Sequence, residues 1–96
     1  MLIVATYDVD VTSPSGAKRL RRVARICEKW GIRVQNSVFE LLVDQAQFVT
    51  IRAAMEKVID PEKDSIRFYR LGKHYESKIS FLGKPLLIEQ DKDLIL

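Results

Sequence analysis

A chain of 96 residues has room for one domain with a single modest core, and 47% hydrophobic with 30% charged residues excludes a disordered chain. No apolar run reaches bilayer-spanning length, no signal-peptide pattern opens the chain, and one cysteine, Cys27, permits no internal disulfide; a cytoplasmic protein with no membrane partner is expected. The net charge of +3 is uneven, because residues 18–33 hold seven basic side chains against one acid, Glu28, a local +6 that leaves −3 for the rest.

The first run, Met1 to Asp8, reads as a strand whose apolar Leu2-Ile3-Val4-Ala5 ends in a lone acid. An ionised carboxylate is costly to bury alone, so a cation is expected beside Asp8 in space. A polar loop follows, in which Ser13 before Pro14, or else Ser15, suits a helix N-cap. From about Ala17 to Trp30, apolar Leu20, Val23, Ala24 and Cys27 recur at helical spacing, with Lys18, Arg21, Arg22, Arg25 and Lys29 on the opposite face. Gly31 supplies a left-handed stop. Such a basic segment is either a solvated helix face or a docking surface for polyanions, and the scarcity of acids within it favours the second.

Ile32 to Gln35 and Val38 to Val43 then read as strands around a weak turn at Asn36-Ser37. Asp44 with Gln47 resembles a capping box, and the helix after it carries Phe48, Ile51, Met55, Val58 and Ile59 on one stripe up to Asp60-Pro61. Ser65 to Leu71 alternates as a strand, Ile66 and Phe68 facing one way, Arg67 and Tyr69 the other. The order βαββαβ is the ferredoxin-like arrangement of an α+β domain, here residues 1–76. Two further apolar runs, Ile79 to Leu82 and Leu86 to Ile88, lie in the tail, residues 77–96. The bare face and open edge of such a sheet invite pairing with another chain. The expectation is a homodimer packed sheet to sheet, the tail adding an extra C-terminal strand to the partner; the competing course folds the tail back on its own sheet.

Asp8 at the carboxyl end of its strand, with Asp10 two positions on, could bind a hard cation such as Mg²⁺, which needs only one or two carboxylates besides water and phosphate oxygens. Two copies of Asp8 about a two-fold axis would supply that pair. Spacing alone favours a plainer role for Asp8 as a loop cap, and for Asp10 as a loop residue. His74 and Cys27 lack the partners of a zinc site or a catalytic triad, and read as surface and core respectively. The four glycines are scattered, so no phosphate loop is present. Tyr7, Phe39 and Tyr69 could stack on bases, but on strands of this arrangement they read as core.

Three segments carry a resemblance: Thr6-Tyr7-Asp8-Val9, the run from Arg33 to Glu40, and the run from Ile59 to Arg67. Together, in order and over roughly residues 1–82, they resemble the CRISPR-associated small endonuclease family, the ferredoxin-like partner of the CRISPR integrase in spacer acquisition and antiviral defence. The resemblance implies a homodimer with a metal-binding Asp8 from each chain across the two-fold axis. It also implies a cut in a phosphodiester of RNA or DNA that depends on Mg²⁺, with Mn²⁺ a possible substitute. Tyr7 joins Asp8 as a catalytic candidate, Phe39 matches a supporting position, and Lys18, Arg19, Arg21, Arg22, Arg25 and Arg33 are the nucleic-acid-binding candidates. A competing function is a non-catalytic DNA-holding adaptor that bridges integrase dimers, and a third is a small-ligand regulatory module on the same fold.

Overall fold

The computed structural model describes residues 1–84 and places seven elements in them. These are β1 (Leu2–Asp8), α1 (Gly16–Trp30), β2 (Gly31–Gln35), β3 (Val38–Leu42), α2 (Gln45–Val58), β4 (Ser65–Gly72) and a 3-10 turn over Glu76–Lys78. The strands form one sheet in the order β2-β3-β1-β4, with every neighbouring pair antiparallel. This is the βαββαβ arrangement expected from the sequence.

Alternation along β1 divides the molecule. Ile3, Ala5 and Tyr7 join Val23 and Cys27 of α1 and Phe48, Ile51 and Met55 of α2 in one buried cluster. Both helices therefore cover the same face, and Val4, Thr6 and Asp8 project from the other. Val4 stands opposite Glu40 and Tyr69, Thr6 opposite Val38 and Arg67, and Asp8 opposite Ser65. Leu42 and Tyr69 on this bare face are 42% and 48% exposed.

The two helices start by different means. Asp44 accepts a bond from the Gln47 N–H at 2.7 Å while the Gln47 side chain accepts one from the Asp44 N–H at 2.9 Å, the reciprocal cap expected for α2. At α1, Ser15 occupies the cap position with φ of 65°, but its hydroxyl makes no cap bond. The loop before it folds too tightly onto the helix: a Cβ on Gly16 would collide with the Asp10 carbonyl oxygen. The expected left-handed stop at Gly31 is corrected as well. Its φ of −163° is extended, and it opens β2 directly. A Cβ at Gly31 would strike the Glu40 carbonyl oxygen across the strand pair, so glycine is required for close approach rather than for a turn.

In the tail, Ile79 to Leu82 forms no strand, and Phe81 and Leu82 are exposed. The second apolar run, and with it the expected strand added to the partner, lies outside the described residues.

The end of β1 is held by an acid that the sequence reading passed over. Asp64, just before β4, is buried, its side chain fully enclosed. Its carboxylate accepts bonds from the Asp10 N–H at 3.0 Å, the Asp60 N–H at 2.9 Å and Arg19 Nε at 2.8 Å. Arg19 Nη2 reaches the same carboxylate at 3.3 Å and also donates to Ser13 Oγ at 2.9 Å, while Nη1 donates to the Pro14 carbonyl at 3.1 Å. The loop after β1, the first turns of α1 and the loop before β4 thus converge on one ion pair.

The Arg19 guanidinium, with the Asp60 and Asp10 N–H groups, lowers the Asp64 carboxyl from 3.8 to about 2 against the opposing effect of burial. A value depressed on folding stabilises fully above pH 3.8, and that contribution is lost as pH falls toward about 2. Asp64→Asn is therefore expected to flatten acid unfolding across this window and to lower Tm at neutral pH by roughly 10 °C. Acid titration followed by circular dichroism checks this; a variant profile as steep as the parent's would assign acid unfolding to other carboxylates.

Candidate metal and nucleic-acid site

Asp8 closes β1 at the sheet's edge of solvent, exposed, on the face away from the helices. Among the described residues its carboxylate has no hydrogen-bond or ion-pair partner, so the cation expected beside it is absent. That expectation fits Asp64 instead, the acid that is buried and is paired with Arg19. An exposed carboxylate keeps its hydration and needs no counter-charge; a buried one does. No group of three His, Cys, Asp or Glu that could hold a metal is found among the described residues. Asp10 turns its carboxylate onto Thr12, accepting from the backbone N–H at 3.0 Å and from the hydroxyl at 2.5 Å, so it caps its own loop.

Tyr7, the catalytic candidate beside Asp8, is placed on the opposite side of the sheet from it. It points to the helix side, 6% exposed, with its ring stacked 6.1 Å from that of Phe39. Its hydroxyl donates to the Asn36 carbonyl at 3.3 Å, and its N–H donates to Ser37 O at 3.1 Å. Burial raises the phenol pKa, with the nearby Arg33 charge opposing, so the hydroxyl stays protonated at neutral pH. Tyr7 ties the strand end to the β2–β3 turn. Phe39, the supporting candidate, is fully buried in the core. Arg33 lies over the Phe39 ring at 5.0 Å and pairs with Glu28 at 3.2 Å, both partners largely exposed. An ion pair that open to water adds little stability and leaves Arg33 free to exchange partners.

Of the basic candidates on α1, Lys18, Arg21, Arg22 and Arg25 are exposed, as is Lys29, which sits 5.4 Å from the Trp30 ring. They line the outer side of the helix layer, across the sheet from the Asp8 face. Lys18 and Arg22 lie in the first two turns, at the end of α1 that the loop from Asp8 enters. Arg19 departs from the set: each of its guanidinium nitrogens is engaged within the chain, and it is a structural residue here.

The remaining chemistry is quiet. Burial pushes the Cys27 thiol up to about 12, so it is no nucleophile. His74 is exposed. A groove of about 460 Å³ between α2 and β4 has a floor of Phe48, Met55, Ile66 and Phe68, with Arg52 and Arg70 on its lining. It opens on the helix side, away from Asp8.

Comparison with known proteins places this arrangement. The family model described as CRISPR associated protein Cas2 matches residues 1–79. The CRISPR-associated endonuclease Cas2 of Halalkalibacterium halodurans is 46% identical over 95 residues, 99% of each chain. The CRISPR-associated endoribonuclease Cas2 of Chlorobaculum tepidum is 46% identical over 96 residues, the whole of both chains. Among solved structures, Streptococcus pyogenes Cas2, crystallised at pH 6.5, matches with a TM-score of 0.75 at 49% identity, covering 86% of this chain and all of that one. A family model matched over residues 1–79 and relatives this similar along their whole length leave one conclusion: the chain belongs to the Cas2 family of CRISPR-associated proteins.

Proposed function

We propose that two copies of this chain pack through their bare sheet faces and that the two Asp8 carboxylates, meeting at the two-fold seam, hold one divalent cation and cut a phosphodiester of RNA or DNA. The observation that carries this reading is the Asp8 carboxylate itself, exposed at a strand end beside a partly apolar sheet face and without a partner among the described residues. The donor set fits the metal: a free carboxylate is a hard oxygen ligand, and Mg²⁺ takes one or two of these with water and phosphate oxygens. Mn²⁺ accepts the same ligands. When bound, such an ion activates water and clamps a phosphate oxygen. The chain's own part is to hold Asp8 at a fixed strand end through the Asp64–Arg19 pair and the Tyr7 bonds, with no ion-pair partner to its carboxylate among the described residues.

The curated relatives' names, endonuclease and endoribonuclease, support the reaction class, and the second supports RNA as a substrate. Val4, Val38, Leu42 and Tyr69 on the bare face support the sheet-to-sheet dimer. No described helix is long and apolar enough to cross a membrane; a cytoplasmic site of action is part of the proposal.

One observation favours the second reading, a DNA-holding adaptor for the CRISPR integrase. The exposed cations of α1 lie across the sheet from Asp8, where they can grip a backbone without bringing it to the carboxylate. Lys, Arg and phosphate need no base reading for that.

A nuclease assay on single- and double-stranded RNA and DNA tests the first reading. Cleavage is expected to require Mg²⁺ or Mn²⁺ and to fall by roughly two orders of magnitude or more in Asp8→Asn. Cleavage that persists in chelator ends the metal proposal, and spacer acquisition that survives Asp8→Ala makes the adaptor the biological role. Tyr7→Phe removes one hydrogen bond to a carbonyl, so we expect a stability loss of about 1 kcal/mol with the cleavage rate nearly unchanged. A rate collapse in that variant, at parental Tm, would restore Tyr7 to the chemistry.

A further inference from the structure

We propose that Arg67 is the phosphate-gripping arginine of the Asp8 face. This inference rests on the reading of Asp8 as the metal-binding carboxylate and adds to it a residue for the substrate. The register supplies the placement. Asp8 stands opposite Ser65 and Thr6 opposite Arg67 on the antiparallel β1–β4 pair. Side chains two apart along a strand share a face, so Asp8, Thr6, Ser65 and Arg67 all project on the side without helices. Asp8 and Arg67 are then diagonal neighbours, about 7–8 Å apart at the backbone, a gap that an arginine and a phosphate group span together.

In the single chain Arg67 is exposed near the Asp8 end of the face through which the two copies are proposed to pack, so it stands at their seam, and one of its nitrogens, Nη1, donates to the Tyr69 hydroxyl at 3.3 Å. Tyr69 lies two residues on, on the same face, and its hydroxyl steers the guanidinium over the sheet. A guanidinium carries five donors in a planar fork, and no further partner for Arg67 exists among the described residues. The other strand arginines are placed differently. Arg33 lies over Phe39 on the helix side, and Arg70 lies 4.7 Å from the Phe48 ring, also on the helix side. Arg67 is therefore the cation that the described strands put on Asp8's face. A lone carboxylate pair gives a thin ligand shell, and a bidentate guanidinium beside it supplies charge and orientation to the same phosphate.

The test separates Arg67 from Asp8. Binding of a labelled 30-nucleotide single-stranded DNA, and of an RNA of equal length, is titrated across salt concentrations in the Asp8→Asn background, with and without Arg67→Gln. Loss of one phosphate contact per protomer is expected to reduce the salt slope by about 1–2 and to weaken binding at least about fivefold. With Asp8 intact, Arg67→Lys is expected to restore the slope but not the cleavage rate, because the fork is lost. An unchanged slope in Arg67→Gln overturns the proposal. So does a changed dimer dissociation by sedimentation with an unchanged slope, which makes Arg67 a contact between copies only. Cleavage by Asp8→Asn instead overturns the metal reading, and the salt slope still scores Arg67 on its own.

Discussion

One buried ion pair holds the working end of this molecule. Asp64 and Arg19 are 45 residues apart in the chain and bring three segments to a single carboxylate: the loop leaving β1, the first turns of α1 and the loop entering β4. A buried carboxylate is tolerated only where its lone pairs are filled, and here two backbone N–H groups and a guanidinium fill them. Removing Arg19 leaves the enclosed Asp64 carboxylate without its counter-charge. The consequence for function is positional. With Asp10 anchored by its N–H, the last residues of β1 have little freedom, and Asp8 is presented at a set place on the sheet.

The sheet then sorts the chemistry by side. Apolar Ile3, Ala5 and Tyr7 face the helices, and their neighbours Val4, Thr6 and Asp8 face away. Cations follow the same division, with the α1 set outside the helix layer and Arg67 on the face of Asp8. A protein so arranged carries two separate charged surfaces, one broad and basic, one small with an acid and a single arginine among the described residues. That geometry accommodates both proposed roles. Holding a strand and cutting one need not draw on the same residues.

Much of this was legible in the residues themselves. The 3.6-residue stripe from Leu20 to Cys27, the Asp44–Gln47 cap and the alternation of Ser65 to Leu71 each rest on local periodicity, and each element forms where its pattern lies. What escaped depends on contacts distant in sequence. Arg19 looks like its basic neighbours, and nothing near it reveals that Asp64 claims it. Gly31 sits where a helix stop belongs, yet the strand that crowds it, with Glu40, comes nine residues later. The split between Tyr7 and Asp8 is present in the strand alternation, which puts neighbours on opposite faces, whereas the resemblance implies a catalytic role for both. Arg67 left no pattern at all, because a single cation in a strand gains meaning only from its register with β1.

The central claim is that two chains share one metal ion through their Asp8 carboxylates. A Mn²⁺ titration read by electron paramagnetic resonance counts that ion directly, without reference to cleavage. The account requires one tightly bound ion per two chains, lost in Asp8→Asn while the dimer persists. One ion per chain, or binding that survives the substitution, contradicts it.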